Sequence, residues 1–155
     1  MPASRQVTFA REPSRRGGYA SGMTSIIDHV SINVGSLDAS VSFYERALSP
    51  LRISLLMRGA SGVGFGRRKP ELWLRQGTGT FQTDAQVATI TPVHICFAAE
   101  SPAEVDAFHQ AALAAGGRDF GPPGLRSNYH AQYYGAFVLD PDGHNIEAVH
   151  HGKWS

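Results

Sequence analysis

Apolar positions along this chain follow two rhythms in turn. In IDHVSINV, residues 27–34, Val30, Ile32 and Val34 recur at every second position, the period of a strand with one covered face. From residue 37 to 48, LDASVSFYERAL, the spacing changes: Val41, Tyr44 and Leu48 return every three or four positions, as on the inner face of a helix, and Ser36 or Asp38 can cap its start. LRISLLM (51–57), the glycine-rich VGFG (63–66), a turn near Arg68-Lys-Pro70 and ELWLRQ (71–76) then read as a meander of strands.

The same succession begins again further on. VHICFAA (93–99) is a strand; Ser101 caps a helix with Pro102 at its first position and Glu104 three residues after the cap. Val105, Phe108, Ala112 and Leu113 form its predicted buried stripe, and Gly116-Gly117 ends it. A long loop, GPPGLRSNYHAQ, is expected before YYGAFVL, the tight turn Pro141-Asp-Gly143 and NIEAVHH, because Asp-Gly between alternating strands is a strong hairpin signal. Laid over one another at an offset of 65 residues, segments 29–48 and 94–113 align without a gap. They share His29/His94, Ser36/Ser101, Phe43/Phe108, Ala47/Ala112 and Leu48/Leu113. The predicted fold is α+β: one domain over 26–151 made of two tandem βαβββ units, about 26–77 and 90–151.

Composition narrows the class. A chain of 155 residues hides roughly two thirds of its unfolded surface, enough for a core that needs no staples. A formal net charge of +1 and a pI near 8.0 give no field suited to nucleic acid or an anionic membrane, so small molecules are the expected partners. There is no run of about 18 apolar residues. Residues 1–25 read as a polar arm without the apolar centre of a secretory signal, and a cytoplasmic location is expected. The single cysteine, Cys96, lies in an apolar strand and reads as a small core residue and not a nucleophile.

The chemistry starts from Glu147, a charged residue between Ile146 and Ala148 in the last strand. An ionised carboxylate in such a place either faces water or has a partner. His29 and His94 hold matching positions at the first strand of each unit. Two imidazoles and a carboxylate on separate strands suit a divalent metal, with coordination positions left open.

Three other motifs lead nowhere. Asp140-Pro-Asp-Gly143 lacks the spacing of a calcium loop, and Gly62-Val-Gly-Phe-Gly66 is followed by no helix pattern that would make it a dinucleotide fingerprint. His144, His150 and His151 read as a solvated strand end.

The paired βαβββ repeat, a histidine at both first strands and the hairpin AFVLDPDGHNIEAV resemble the vicinal oxygen chelate superfamily, which includes glyoxalases, extradiol dioxygenases and bleomycin-resistance proteins. The resemblance spans about four fifths of the chain. It implies curved mixed sheets around a cavity, a divalent metal (Zn, Ni, Mn or Fe) held by His29, His94 and Glu147, and often a homodimer. It also implies a metal-dependent enzyme with isomerase, lyase or dioxygenase chemistry on a substrate chelated through neighbouring oxygens. The alternative is a metal-free protein that sequesters a drug or metabolite. Glyoxalases of this superfamily use a fourth ligand on the last strand of the first unit, here Glu71-Leu-Trp-Leu; the apolar bracketing of Glu147 matches Trp73, as cavity wall, whereas Glu71, two residues earlier on the same face, is the other choice. Beside Glu147, Tyr133 or His130 can transfer protons, and Arg126, Tyr129 and Tyr134 can bind substrate, Arg126 as an anion clamp. Tyr133 and Tyr134 point to opposite faces, so at most one meets the cavity.

Overall fold

The computed structural model describes residues 27–60, 62–79, 82–129 and 131–152; the predicted arm over 1–25 and His130 lie outside them. The first unit runs β1 (Val30–Asn33), α1 (Leu37–Ala47), a 3-10 turn (Ser49–Leu51), β2 (Ser54–Arg58), β3 (Gly62–Gly66) and β4 (Leu72–Arg75). A connection with one helical turn, α2 (Asp84–Val87), leads to β5 (His94–Ala98), α3 (Pro102–Ala114), β6 (Arg118–Leu125), β7 (Tyr133–Leu139) and β8 (Asn145–His151). Two four-stranded sheets result, in the orders β1-β4-β3-β2 and β5-β8-β7-β6. In each the first strand pairs parallel with the last, and the other pairs are antiparallel.

The helices form where the sequence signals them. Ser36 accepts from the Ala39 amide and so caps α1, and Ser101 accepts from the Glu104 amide at the start of α3. Gly116, with φ +96°, takes the left-handed conformation that ends α3. Val41, Tyr44 and Leu48 face inward and join Val105, Phe108 and Ala112 in one core. Ile32, Val63, Phe65, Leu72 and Leu74 enter it from the first sheet, and Ala136, Val138, Ile146 and Ala148 from the second. Each large apolar side chain buried there contributes about 1.5–3 kcal/mol. The helices thus cover one face of both sheets. Alternation leaves the other faces open.

Four expectations need correcting. The predicted loop GPPG belongs to β6: Pro122 and Pro123 fit because β6 is an edge strand and its pairing with β7 shifts register between Asp119 and Gly121 and between Gly121 and Gly124. Leu113 is exposed on α3, and the buried place goes to His109, whose Nε2 lies 2.9 Å from Asp119 Oδ1. β2 starts only at Ser54, since a 3-10 turn with Pro50 takes up the residues before it. Cys96 is exposed on the open face of β5, because the strand's alternation gives Ile95 and Phe97 to the core side.

Candidate metal and ligand site

On the open face of the second sheet, the register sets Cys96 opposite Glu147 across β5 and β8, and Phe137 opposite Glu147 across β7 and β8. His94, two residues before Cys96, shares that face. Glu147 is 2% exposed, yet its charge is well served. The Tyr133 hydroxyl donates to Oε1 at 2.5 Å, and His94 Nε2 lies 3.2 Å from Oε2. Gly135 makes the room: a Cβ there would stand 2.9 Å from Glu147 Oε1 and 3.0 Å from Tyr133 Cε1.

Burial, and then the hydrogen bond to Glu147, raise the Tyr133 phenol above its ordinary pKa, so it donates to Glu147 as a neutral hydroxyl. Although Cys96 has exposed surface, crowding around its thiol first and the Glu147 charge second raise the thiol as well. It is therefore protonated at neutral pH and a poor nucleophile.

The two repeat-equivalent histidines each tie Nδ1 to an oxygen acceptor, one a carboxylate and one a backbone carbonyl. His94 Nδ1 lies 3.2 Å from the Asn145 carbonyl, which can only accept, so Nδ1 carries the proton and the Nε2 lone pair faces Glu147. His29 Nδ1 lies 2.8 Å from Asp28 Oδ1 and is held in the same tautomer. Asp28 also pairs with Lys69, and the hydrogen bonds from His29 first and Lys69 second keep its carboxyl below the usual range. Fixing Nδ1–H on an oxygen acceptor is how metal-binding histidines are oriented.

On the open face of the first sheet, Trp73 stands opposite Ser31 as Glu147 stands opposite Cys96. Ser31 and Cys96 are themselves equivalent at the repeat offset, so the position matching Glu147 holds an indole. Trp73 is half-buried, with Cη2 3.2 Å from where a Cβ on Gly64 would sit. Glu71 is exposed just before β4, and its carbonyl accepts from the Val30 amide at 2.8 Å. Tyr134 turns to the helix side and donates to Asp106 on α3 at 2.8 Å, away from Glu147. Tyr129 is exposed, its ring edge-on to Tyr133 at 5.2 Å. Arg126 lies over the Phe137 ring.

Within one chain, His29 does not join His94 and Glu147. Among the described residues, the group of three whose ligand atoms all lie within 4.8 Å is Asp140, Asp142 and His144, which could hold a metal ion. Its hydrogen bonds say otherwise. The Val93 amide donates to His144 Nδ1 at 3.1 Å, so Nε2 bears the proton that goes to the Asn33 carbonyl at 3.0 Å. No lone pair is left on that ring for a cation. Asp140 accepts from Tyr44 and from the amides of Asp142 and His144, and Asp142 accepts from the Gly35 amide and Ser40. These bonds fasten the β7–β8 turn to β1 and α1. His144, read from sequence as solvated, is 1% exposed because it is the bolt of this clasp.

A separate cavity of about 200 Å³ opens between β1 and the connection carrying α2, lined by Ser31, Asn33, Gln86, Thr89 and Thr91 beside His144. Amides and hydroxyls supply no strong ligand, so the chemistry concentrates on the open face around Glu147. There the donor set fits a divalent cation: a buried carboxylate oxygen and an imidazole lone pair converge, a repulsive pairing unless a cation or proton stands between them.

A scan of protein-family models and a search of curated proteins gave no match. Solved structures did. A glyoxalase/bleomycin resistance protein from Albidiferax ferrireducens is 32% identical, covering 83% of this chain and 100% of its own, with a TM-score of 0.66. A glyoxalase-related enzyme from Fulvimarina pelagi (21% identity, 85% and 92% coverage, TM-score 0.66) shares the fold. So does a glyoxalase/bleomycin resistance protein/dioxygenase family enzyme from Burkholderia phytofirmans (18%, 83% and 100%, TM-score 0.63). With the paired units, the matched register and the first of these likenesses together, the chain belongs to the glyoxalase/bleomycin resistance protein family.

Proposed function

We propose that this protein is a metal-dependent enzyme of the glyoxalase or dioxygenase type, acting on a small substrate held through two neighbouring oxygens. The observation that carries the reading is that His29 and His94 each have Nδ1 tied to an oxygen acceptor, which leaves Nε2 free to ligate, and that His94 faces buried Glu147. His94, Glu147 and His29 would hold the ion, which when bound supplies a Lewis acid for the substrate oxygens. Tyr133 keeps the Glu147 carboxylate in place and holds a proton at its hydroxyl. Trp73 forms a wall.

His29 comes, in this reading, from a second copy of the chain. Both sheets present open faces, and Leu56, Met57 and Phe120 stand exposed on the outer strands, apolar surface that a partner would cover. A two-fold dimer can set the first sheet of one protomer against the second sheet of the other.

One observation favours the alternative, a metal-free binding protein. Tyr133 and His94 already stand within hydrogen-bonding distance of the two Glu147 oxygens, which gives both oxygens partners other than an ion. Elemental analysis of purified, tag-free protein beside a Glu147→Ala variant decides between them. About one zinc, nickel, manganese or iron per chain, lost in the variant, is expected. No metal after reconstitution, or equal metal in both proteins, overturns the enzyme reading.

A further inference from the structure

The Arg126 side chain is half-buried and held from several sides. Nη2 donates to the Pro122 carbonyl at 2.6 Å, Nη1 lies 3.5 Å from the Leu125 carbonyl, and Cζ sits 5.7 Å from the centroid of the Phe137 ring. Strand β6 makes space with glycines: a Cβ on Gly124 would stand 3.0 Å from Nη1, and one on Gly121 3.5 Å from Nη2. Phe137 stacks in turn on His94, with ring centroids 6.2 Å apart and planes 30° apart, and it is the register partner of Glu147. Glu147, His94, Phe137 and Arg126 therefore follow one another across a single open face.

The charges on that face are unevenly matched. Glu147 has His94 and Tyr133, but among the described residues no carboxylate lies within ion-pair distance of Arg126. Neutral carbonyls and a ring fix the plane of its guanidinium without cancelling its charge. Two carbonyls also leave most of its five N–H donors unspent. A guanidinium with a fixed plane and spare donors is suited to a carboxylate or phosphoryl group, which it can grip through two oxygens.

We propose that Arg126 is the receptor for an oxyanion on the substrate, so that the substrate class is anionic, its charged group lying one ring's breadth from the oxygens bound at His94 and Glu147. The proposal rests on the open face being the substrate site, but the anion contact itself needs no metal. Phe137 separates the two points of attachment and so sets the length of substrate that can span them.

The test is an NMR titration of metal-free protein with inorganic phosphate and, in parallel, acetate, against sodium chloride at equal ionic strength. Expected are saturable shifts of the Gly121, Gly124 and Phe137 amides with at least one oxyanion, retained in Glu147→Gln and lost in Arg126→Met. Arg126→Lys, which keeps the charge and loses the fork, should weaken binding severalfold and guards against a misfolded Met variant. A stronger response to acetate marks a carboxylate substrate, and a stronger response to phosphate a phosphoryl one. Shifts that equal those in chloride, or that survive in Arg126→Met, overturn the proposal. Because metal content is read separately, in wild type beside Glu147→Ala, failure of the metal reading leaves its own mark.

Discussion

The Tyr44 hydroxyl donates to Asp140 Oδ2 at 2.8 Å, tying the helix of the first unit to the hairpin of the second across 96 residues of sequence. Both groups are buried, Tyr44 wholly and Asp140 to 2% exposure. Burial first and the Asp140 charge second raise the Tyr44 phenol well above its ordinary pKa, so it stays a donor. Tyr44→Phe should therefore cost about 1–3 kcal/mol, the usual penalty for leaving a buried acceptor short of a partner. In urea unfolding the midpoint should fall while the slope stays unchanged. A midpoint equal to wild type would mean that the backbone donors to Asp140 suffice.

The same carboxylate predicts a pH dependence. Burial, the largest influence on Asp140, raises its pKa, outweighing the hydrogen bond from Tyr44 and the other contacts that lower it. The folded state thus binds this proton more tightly than the unfolded chain. Stability from the group is fully present below the ordinary carboxylate pKa and is lost as pH rises through the raised value. Asp28 and Asp119 are lowered and act in the opposite sense, but both remain in an Asp140→Asn variant. The difference in unfolding free energy between wild type and variant should therefore shrink or reverse against wild type across that acid window. Parallel curves at every pH would refute the assignment.

Much of this architecture was legible because it depends on local periodicity. Val41, Tyr44 and Leu48 give the inner face of α1 whatever lies above them, and the equivalence of His29 and His94 follows from the repeat alone. What the sequence hid depends on contacts between units. Nothing near Asp140-Pro-Asp-Gly-His144 signals that its polar groups meet Asn33, Gly35, Ser40 and Tyr44, more than ninety residues away in the chain. Glycines and prolines in GPPG look like a loop because edge position, which permits them in β6, is a property of the sheet and not of the segment. Thr83 and Gln86, by contrast, form a complete capping box, a local signal for α2 that was present and passed over. The site divides the same way: alternation separated Tyr133 from Tyr134, whereas the absence of His29 from the His94–Glu147 cluster concerns how sheets are assembled.

Cys96 reports on Glu147 chemically. Its thiol is raised by burial and next by the Glu147 charge, so only a small fraction is thiolate at mildly alkaline pH. Wild-type protein should react with iodoacetamide more slowly than free cysteine, and Glu147→Gln should react severalfold faster, because the neighbouring negative charge is gone. Intact mass spectrometry against time measures both. Equal rates in the two proteins would show that the carboxylate does not govern this thiol.

The strongest test of a shared site uses two inactive parents. If His29 of one protomer completes the cluster of His94 and Glu147 of its partner, His29→Ala and His94→Ala homodimers each lack a ligand at both sites and should bind metal weakly. Mixing them after dissociation and reassembly changes the arithmetic. In a mixed dimer one site collects both substitutions, while the other collects none, so random pairing restores about a quarter of the wild-type sites. Metal content after gel filtration, or titration with a coloured divalent ion such as cobalt, would show the recovery. A site contained within one chain predicts no recovery at all, since each protomer carries its own defect into the mixture. Mixing Glu147→Ala with His94→Ala is the control: both residues lie in the second unit, on paired strands of one sheet, so each site of a mixed dimer keeps the defect of one parent and no site is restored. Recovery confined to the first mixture would place His29 across the interface; recovery in neither would rule out a site shared between protomers.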